Sequence, residues 1–213
     1  MIDLGIGQPQ LSLLPHEAMR RASERLLTGQ DNACLNYGPA RGNGYLRLAL
    51  AEFLAPRYGC PVNAENLMIS AGCTQALSMI AGTLAAPGDT VLVEDPTYFL
   101  AHRVFRDRGL RIAGIPIGPQ GLEPDALEKA IFKAHRPKLL YLIPAHQNPS
   151  GITLAQEYRR LIVGLCERHG VTIVADEVYQ LLTYRGTPPP PMAAFIDSEA
   201  VISLGTFSKI LAP

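Results

Sequence analysis

Lys209, in Ser203-Leu204-Gly205-Thr206-Phe207-Ser208-Lys209, follows an apolar run and sits among small hydroxyl residues and one aromatic. A partly desolvated lysine loses basicity and can condense with an aldehyde as a Schiff base. Taken alone it reads more simply as an exposed loop lysine, as most lysines are. Upstream, Asp176 closes an apolar run in Val174-Ala175-Asp176-Glu177-Val178-Tyr179. A carboxylate there can pair with a protonated ring nitrogen and keep a heterocycle electron-poor; a turn residue or a metal ligand is the plainer alternative. Tyr179, a little further on, could reach a phenolic oxygen on such a ring, or be an ordinary half-buried tyrosine.

Three further motifs fit the same chemistry. Asn148 lies in Pro144-Ala145-His146-Gln147-Asn148-Pro149-Ser150-Gly151, which reads first as a turn, but whose Asn amide could serve that phenolic oxygen. His146 beside it is given no role. Ser70-Ala71-Gly72-Cys73-Thr74-Gln75 joins a strand to a helix. Gly72 would let the chain turn tightly, and the Cys73 N–H at the helix start would meet a phosphate, although a simple helix cap explains the same residues. Tyr98, in Asp95-Pro96-Thr97-Tyr98, could stack on a planar ring or fill a core. The order says more than any member: phosphate turn, stacking tyrosine, Asn turn, ring-nitrogen Asp and Schiff-base lysine, each just after an apolar run. Pyridoxal phosphate is the cofactor that uses such a set.

These residues need strands to carry them. Short β-branched runs alternate with helical patterns from about residue 65, which predicts an α/β fold with a mostly parallel sheet flanked by helices. Strands are expected at Leu67–Ser70, Thr90–Glu94, Arg111–Ile117, Lys138–Ile143, Val171–Ala175 and Ala200–Leu204. Leu154, Tyr158, Leu161, Ile162, Leu165 and Cys166 share a helical face, with Thr153 and Gln156 as a capping box and Gly170 as the stop. Leu46–Leu54 and Leu77–Leu84 mark two more helices, and Glu17–Leu27 another. Residues 1–40, with Gly5-Ile6-Gly7-Gln8-Pro9, read as an arm and lead-in, and 41–213 as one large domain. Pro188-Pro189-Pro190-Pro191 reads as a stiff connector. Ligands of an open parallel sheet bind beyond the carboxyl ends of its strands, where the motifs fall.

Composition narrows the class. The 213 residues are 47% hydrophobic and 18% charged, enough for a full core. Equal numbers of acidic and basic residues, 19 each, give no reason to expect nucleic acid or a membrane surface as partner. Cys34, Cys60, Cys73 and Cys166 are widely spaced, without zinc spacing, so no metal site is expected and the thiols are read as reduced. The start, Met1-Ile2-Asp3-Leu4, lacks a basic stretch followed by an apolar one, so no secretory signal is expected there, and no apolar run approaches the ~18 residues of a membrane span. A cytoplasmic protein is expected.

The chain resembles the fold type I pyridoxal-phosphate enzymes, within the class I/II aminotransferases. It is similar above all to the aminoadipate/kynurenine aminotransferase-like branch, which also supplies the effector domain of MocR-type regulators. The resemblance runs from Gly5-Ile6-Gly7-Gln8-Pro9 to Ser208-Lys209-Ile210-Leu211-Ala212-Pro213. It implies that Lys209 holds the cofactor and shuttles a proton, that Asp176 binds the pyridine nitrogen, and that Tyr179 and Asn148 bind the phenolic oxygen. Tyr98 would stack on the ring, while Cys73, Thr74, Thr206 and Ser208 bind the phosphate. Gly7 would line the substrate pocket, and Tyr37 would reach into the partner subunit's site in a homodimer with shared sites. Substrates would be an amino acid and a 2-oxo acid.

Two departures qualify this. The phosphate turn reads Ala71-Gly72-Cys73-Thr74 where Ser-Gly-Ser/Thr is commoner, a change that a backbone N–H site tolerates. Family members also continue past the lysine, with a phosphate arginine close behind and a carboxylate arginine in a C-terminal small domain. A sequence ending at Pro213 is therefore expected to be an incomplete large domain, without that small domain and unable to transaminate alone. Other readings stay open: a different fold type I reaction such as a β-lyase or decarboxylase, a ligand sensor, or an inactive remnant.

Overall fold

A computed structural model of the chain describes residues 7–29, 32–187, 189–195 and 198–213. Five strands, β1 (Thr90–Asp95), β2 (Arg111–Pro116), β3 (Pro137–Leu142), β4 (Thr172–Asp176) and β5 (Val201–Leu204), make one sheet in the order β2-β1-β3-β4-β5. Every pairing is parallel, with Thr90 opposite Arg111, Leu139 opposite Thr172 and Ile173 opposite Val201. Crossovers that put helices on both faces explain why the central strands are apolar throughout.

The period of two along each strand sorts the core into two layers. Leu92, Leu140, Leu142, Ile173 and Ala175 pack with Leu127 and Ile131 of α5 (Pro124–Lys133) and with Ile162 and Cys166 of α6 (Gln156–His169). Val91, Val93, Leu139, Tyr141 and Val174 face the other way, onto Leu77 and Ala81 of α3 (Cys73–Leu84) and Ala101 and Phe105 of α4 (Phe99–Asp107). The remaining helices are α1 (His16–Leu27), which buries no side chain, and α2 (Gly44–Tyr58). Among the described residues, no helix is long and apolar enough to cross a membrane.

Five of the six expected strands form, with no end shifted by more than one residue. Leu67–Ser70 does not. Leu67 itself is extended, but the segment's tie to another is the Ile69 N–H to the Arg41 carbonyl at 2.9 Å, and one bond is not a ladder. The Thr153–Gln156 capping box is also absent. α6 starts after Ala155 without a side-chain cap, and the Thr153 hydroxyl instead accepts from the His146 N–H at 3.2 Å. Gly170 ends α6 as expected, at φ 64° in the left-handed region where a Cβ is strained. Met1–Leu4, Gly5-Ile6 and Pro188 lie outside the described residues; Pro189 and Pro190 lie within them.

Those last two prolines belong to an unexpected feature. Arg159, on the inner side of α6, has no exposed surface and donates to the carbonyls of Leu154 (3.2 Å), Pro190 (2.9 Å) and Pro144 (2.6 Å). One guanidinium thus ties the segment after β3 to the segment before β5. Burial lowers its pKa to about 10, and the buried Glu177 opposes that fall. Removing the donor strands buried carbonyls and leaves Glu177 without its compensating cation. Arg159→Leu should cost about 3–5 kcal/mol in urea unfolding of the protein carrying this chain. A loss under about 1 kcal/mol would show that the clamp is dispensable.

Candidate functional site

In the sheet order β2-β1-β3-β4-β5 the connection from β1 runs outward to β2 and the connection from β3 runs the opposite way to β4, and such a reversal opens a crevice at the carboxyl ends. The sequence motifs converge there. Asp176 is the last residue of β4 and only 7% exposed. Its Oδ2 accepts from the Tyr141 hydroxyl at 2.7 Å, while Oδ1 is buried with no hydrogen-bond partner among the described residues. Burial raises its pKa, against the Tyr141 hydroxyl, the nearby Val178 N–H and the Lys209 ammonium, which all favour the anion.

Facing this carboxylate from one side is the start of α3. Gly72 stands ahead of the helix at φ 89°, a left-handed backbone that a side chain would strain. The first helical bond runs from the Ala76 N–H to the Gly72 carbonyl, so the Cys73 and Thr74 N–H groups lie ahead of it, where an anion fits. The Cys73 thiol donates to the Gly205 carbonyl at 3.6 Å and ties α3 to the segment after β5. Burial pushes that thiol up to about 11, with Asp176 adding and Thr206 and Lys209 opposing, so it is a packed group and not a nucleophile. In that segment the Thr206 hydroxyl is 2.9 Å from the Ser208 hydroxyl and accepts from the Ser208 N–H at 3.1 Å. Lys209 is exposed and acts electrostatically on both Asp176 and Cys73.

Tyr98 precedes α4, meets Phe99 at 5.7 Å between ring centres, and is raised in pKa by burial, then by Tyr179 and Asp176. Tyr98, Tyr179 and Cys73 all rest on the apolar layer beneath α3 and α4. Asn148 is half-buried in the turn after β3. His146, at φ 50°, pairs its Nε2 with the Thr183 hydroxyl at 2.9 Å, and with Tyr179, Leu182, Tyr184 and Arg185 lines an open groove of about 500 Å³. Gly7 and Tyr37 are exposed, and among the described residues no hydrogen bond or ring contact joins either to this crevice. Cys60, Cys73 and Cys166 are free thiols, and no group of three His, Cys, Asp or Glu among the described residues could hold a metal.

Sequence reasoning missed the groups that brace the site. Glu94, at the end of β1, is 2% exposed and accepts from the Ile143 N–H at 2.9 Å and from Gln147 Nε2 at 3.4 Å. Gln147 also donates to the Pro96 carbonyl at 2.7 Å and accepts from the Ser150 N–H and hydroxyl, so it locks the Asn148 turn onto the β1 end. Glu177, next to Asp176, accepts from the Met192 N–H. A charge inside an apolar run was the available signal for both glutamates. Tyr141 had none, because a tyrosine is ordinary in a strand.

The chain matches the family described as aminotransferase class I and II over residues 1–212. It is 35% identical, over its whole length and 52% of the relative's, to aromatic-amino-acid aminotransferase 1 of Thermococcus litoralis. Its fold superimposes on Pyrococcus horikoshii kynurenine aminotransferase, solved in complex with PMP, with a TM-score of 0.88 at 33% identity, covering 98% of this chain and 52% of that one. The α-aminoadipate aminotransferase of Thermus thermophilus, complexed with N-(5'-phosphopyridoxyl)-L-leucine, gives a TM-score of 0.85 at 33% identity, covering 98% and 52%. The chain spans about half the length of the relatives it matches.

The two bracing glutamates predict a pH dependence. Burial raises Glu94 and Glu177 from 4.5 to about 7 each. The folded chain therefore binds these protons more tightly than the unfolded one. Their contribution to stability is full below about pH 4.5 and is lost as pH rises through about 7. Glu94→Gln removes one of the two titrations, so its curve of Tm against pH should be flatter than wild type across that window. Parallel curves would contradict the assignment.

Proposed function

The chain belongs to the class I and II aminotransferases, and from that premise we propose that the protein carrying it moves an amino group between an amino acid and a 2-oxo acid with pyridoxal phosphate. The observation that carries this reading is Asp176, a buried carboxylate with one oxygen held by Tyr141 and the other unpartnered. An unpaired buried oxygen is costly, and the protonated nitrogen of a planar ring is a partner of the right charge and shape. The surroundings fit the rest of the molecule. The Cys73 and Thr74 N–H groups, with the Thr206 and Ser208 hydroxyls, would take the phosphate. Tyr98 would stack on the ring, and Tyr179 and Asn148 would meet its phenolic oxygen.

Bound there, pyridoxal phosphate supplies an electron-poor ring that accepts the electron pair released at the substrate α-carbon. Lys209 Nζ would anchor the cofactor and, freed by the substrate amine, carry the proton away from the α-carbon. Asp176 would keep the ring nitrogen protonated. The groove of about 500 Å³ lined by His146, Tyr179 and Tyr184 has room for a substrate side chain. In this reading residues 1–40 form an arm, and residues 41–213 the cofactor-binding domain. Gly7 would line the substrate pocket, and the exposed Tyr37 would enter the partner's site in a homodimer.

Two measurements test the assignment on the complete protein. Borohydride treatment of the cofactor-loaded enzyme should label the peptide bearing Lys209, and Lys209→Ala should abolish the label; a label on Lys129, Lys133 or Lys138 would overturn it. Asp176→Ala should lower kcat about 10²–10³-fold, as expected for loss of a preorganised charge, and weaken cofactor binding far less. Near-normal turnover would remove Asp176 from the mechanism.

The shared-site dimer has its own test. Mixing Tyr37→Phe with Lys209→Ala subunits should give hybrids with one site lacking both groups and one retaining both. An active monomer in sedimentation would refute it.

A further inference from the structure

Tyr141 lies mid-strand in β3, with no exposed surface, and its ring meets Phe105 nearly edge-on at 5.7 Å and 70°. It is opposite Val174 on β4, and both face the layer beneath α3 and α4. Two residues further along β4, on that same face, is Asp176. The tyrosine hydroxyl therefore reaches along the sheet to the carboxylate at the end of β4. Phenylalanine would fill the same volume and pack on Phe105 equally well. The hydroxyl is what packing does not account for.

We infer that Tyr141 is a positioning residue for the cofactor reaction: its hydroxyl fixes one oxygen of Asp176 and holds the carboxylate as an anion, leaving the other oxygen to face a ring nitrogen. The inference rests on the functional reading above and gives Tyr141, there only a hydrogen-bond partner of Asp176, a role in the reaction. Its logic is a competition for one proton. A carboxylate buried without donors prefers to be protonated, and would draw the proton off a neighbouring pyridinium. A hydroxyl donor to Oδ2 weakens the carboxylate as a base, so the proton stays on the ring. Burial and Asp176 push the phenol's own pKa upward, so it donates a hydrogen bond without giving up its proton. With Oδ2 occupied, the carboxylate cannot turn both oxygens to the ring, and Oδ1 is fixed in direction.

The test uses the complete enzyme and pyridoxal phosphate labelled with ¹⁵N in its ring. In wild type the ring-nitrogen resonance should lie in the pyridinium range. In Tyr141→Phe the pH at which that nitrogen loses its proton should fall by roughly one unit or more, the size expected for a hydrogen bond to a charged group. Turnover should fall about tenfold, as one such unit implies, with a smaller change in cofactor affinity. In an Asp176→Asn background, where no anion needs holding, the same substitution should change turnover less than about twofold; an equal loss in both backgrounds would mean that Tyr141 serves packing alone and would overturn the inference. So would an unchanged nitrogen titration in Tyr141→Phe. If that variant does not fold, a fluorinated tyrosine at position 141 keeps the shape and donates more strongly. It should move the titration upward, and no movement would count equally against the inference. Wild-type protein that takes up no pyridoxal phosphate would overturn the functional reading itself. That failure shows in wild type alone, whereas failure of the Tyr141 inference shows only between variants.

Discussion

A carboxylate at the end of a buried parallel strand is the constraint on which the rest of this structure depends. Asp176 is removed from water by the sheet that presents it, and burial pushes its pKa upward, against the charged form. Only part of the compensation is built in, first through the Tyr141 hydroxyl on the neighbouring strand and then through the Val178 N–H and the Lys209 ammonium. In the proposed reading, the unpartnered oxygen makes the strand end a site and not merely a terminus. Everything around it either supports that carboxylate or supplies contacts to the molecule that would complete it.

The support comes from the layers. Residues alternating along β3 and β4 send Tyr141 and Val174 to one side and Leu140, Leu142 and Ile173 to the other, so Tyr141 and Asp176 share the face on which α3 begins. The thiol of Cys73 ties that helix to Gly205, and Gln147 ties the Asn148 turn to the end of β1. Glu94, Glu177 and Arg159 hold the segments behind these turns with buried charged groups, each hydrogen-bonded to backbone. Such bonds fix loops more firmly than apolar contact does, because a donor or acceptor left unpaired inside is costly.

Much of this was legible in the sequence because the signals were local. Apolar runs marked five strands to within one residue, and Gly170 marked its helix end. The residues of the crevice stood just after those runs, so parallel topology alone gathered Asp176, Cys73, Tyr98, Tyr179 and Lys209. What escaped was long-range. Leu67–Ser70 has the composition of a strand but lacks the ladder, which no local pattern reveals. Thr153 had the spacing of a cap and was drawn instead to the His146 backbone. No local pattern marks Tyr141 or Arg159: Tyr141 finds its partner 35 positions away, and Arg159 reaches a carbonyl 15 positions back.

The central claim is that the open oxygen of Asp176 is a receptor for a protonated ring nitrogen. A crystal structure of the protein with pyridoxal phosphate bound measures this directly. The account predicts the ring nitrogen about 2.7–2.9 Å from Oδ1, the span of a charge-assisted bond, with Oδ2 still on the Tyr141 hydroxyl. A ring nitrogen bonded to another group, or separated from Asp176 by water, would contradict it.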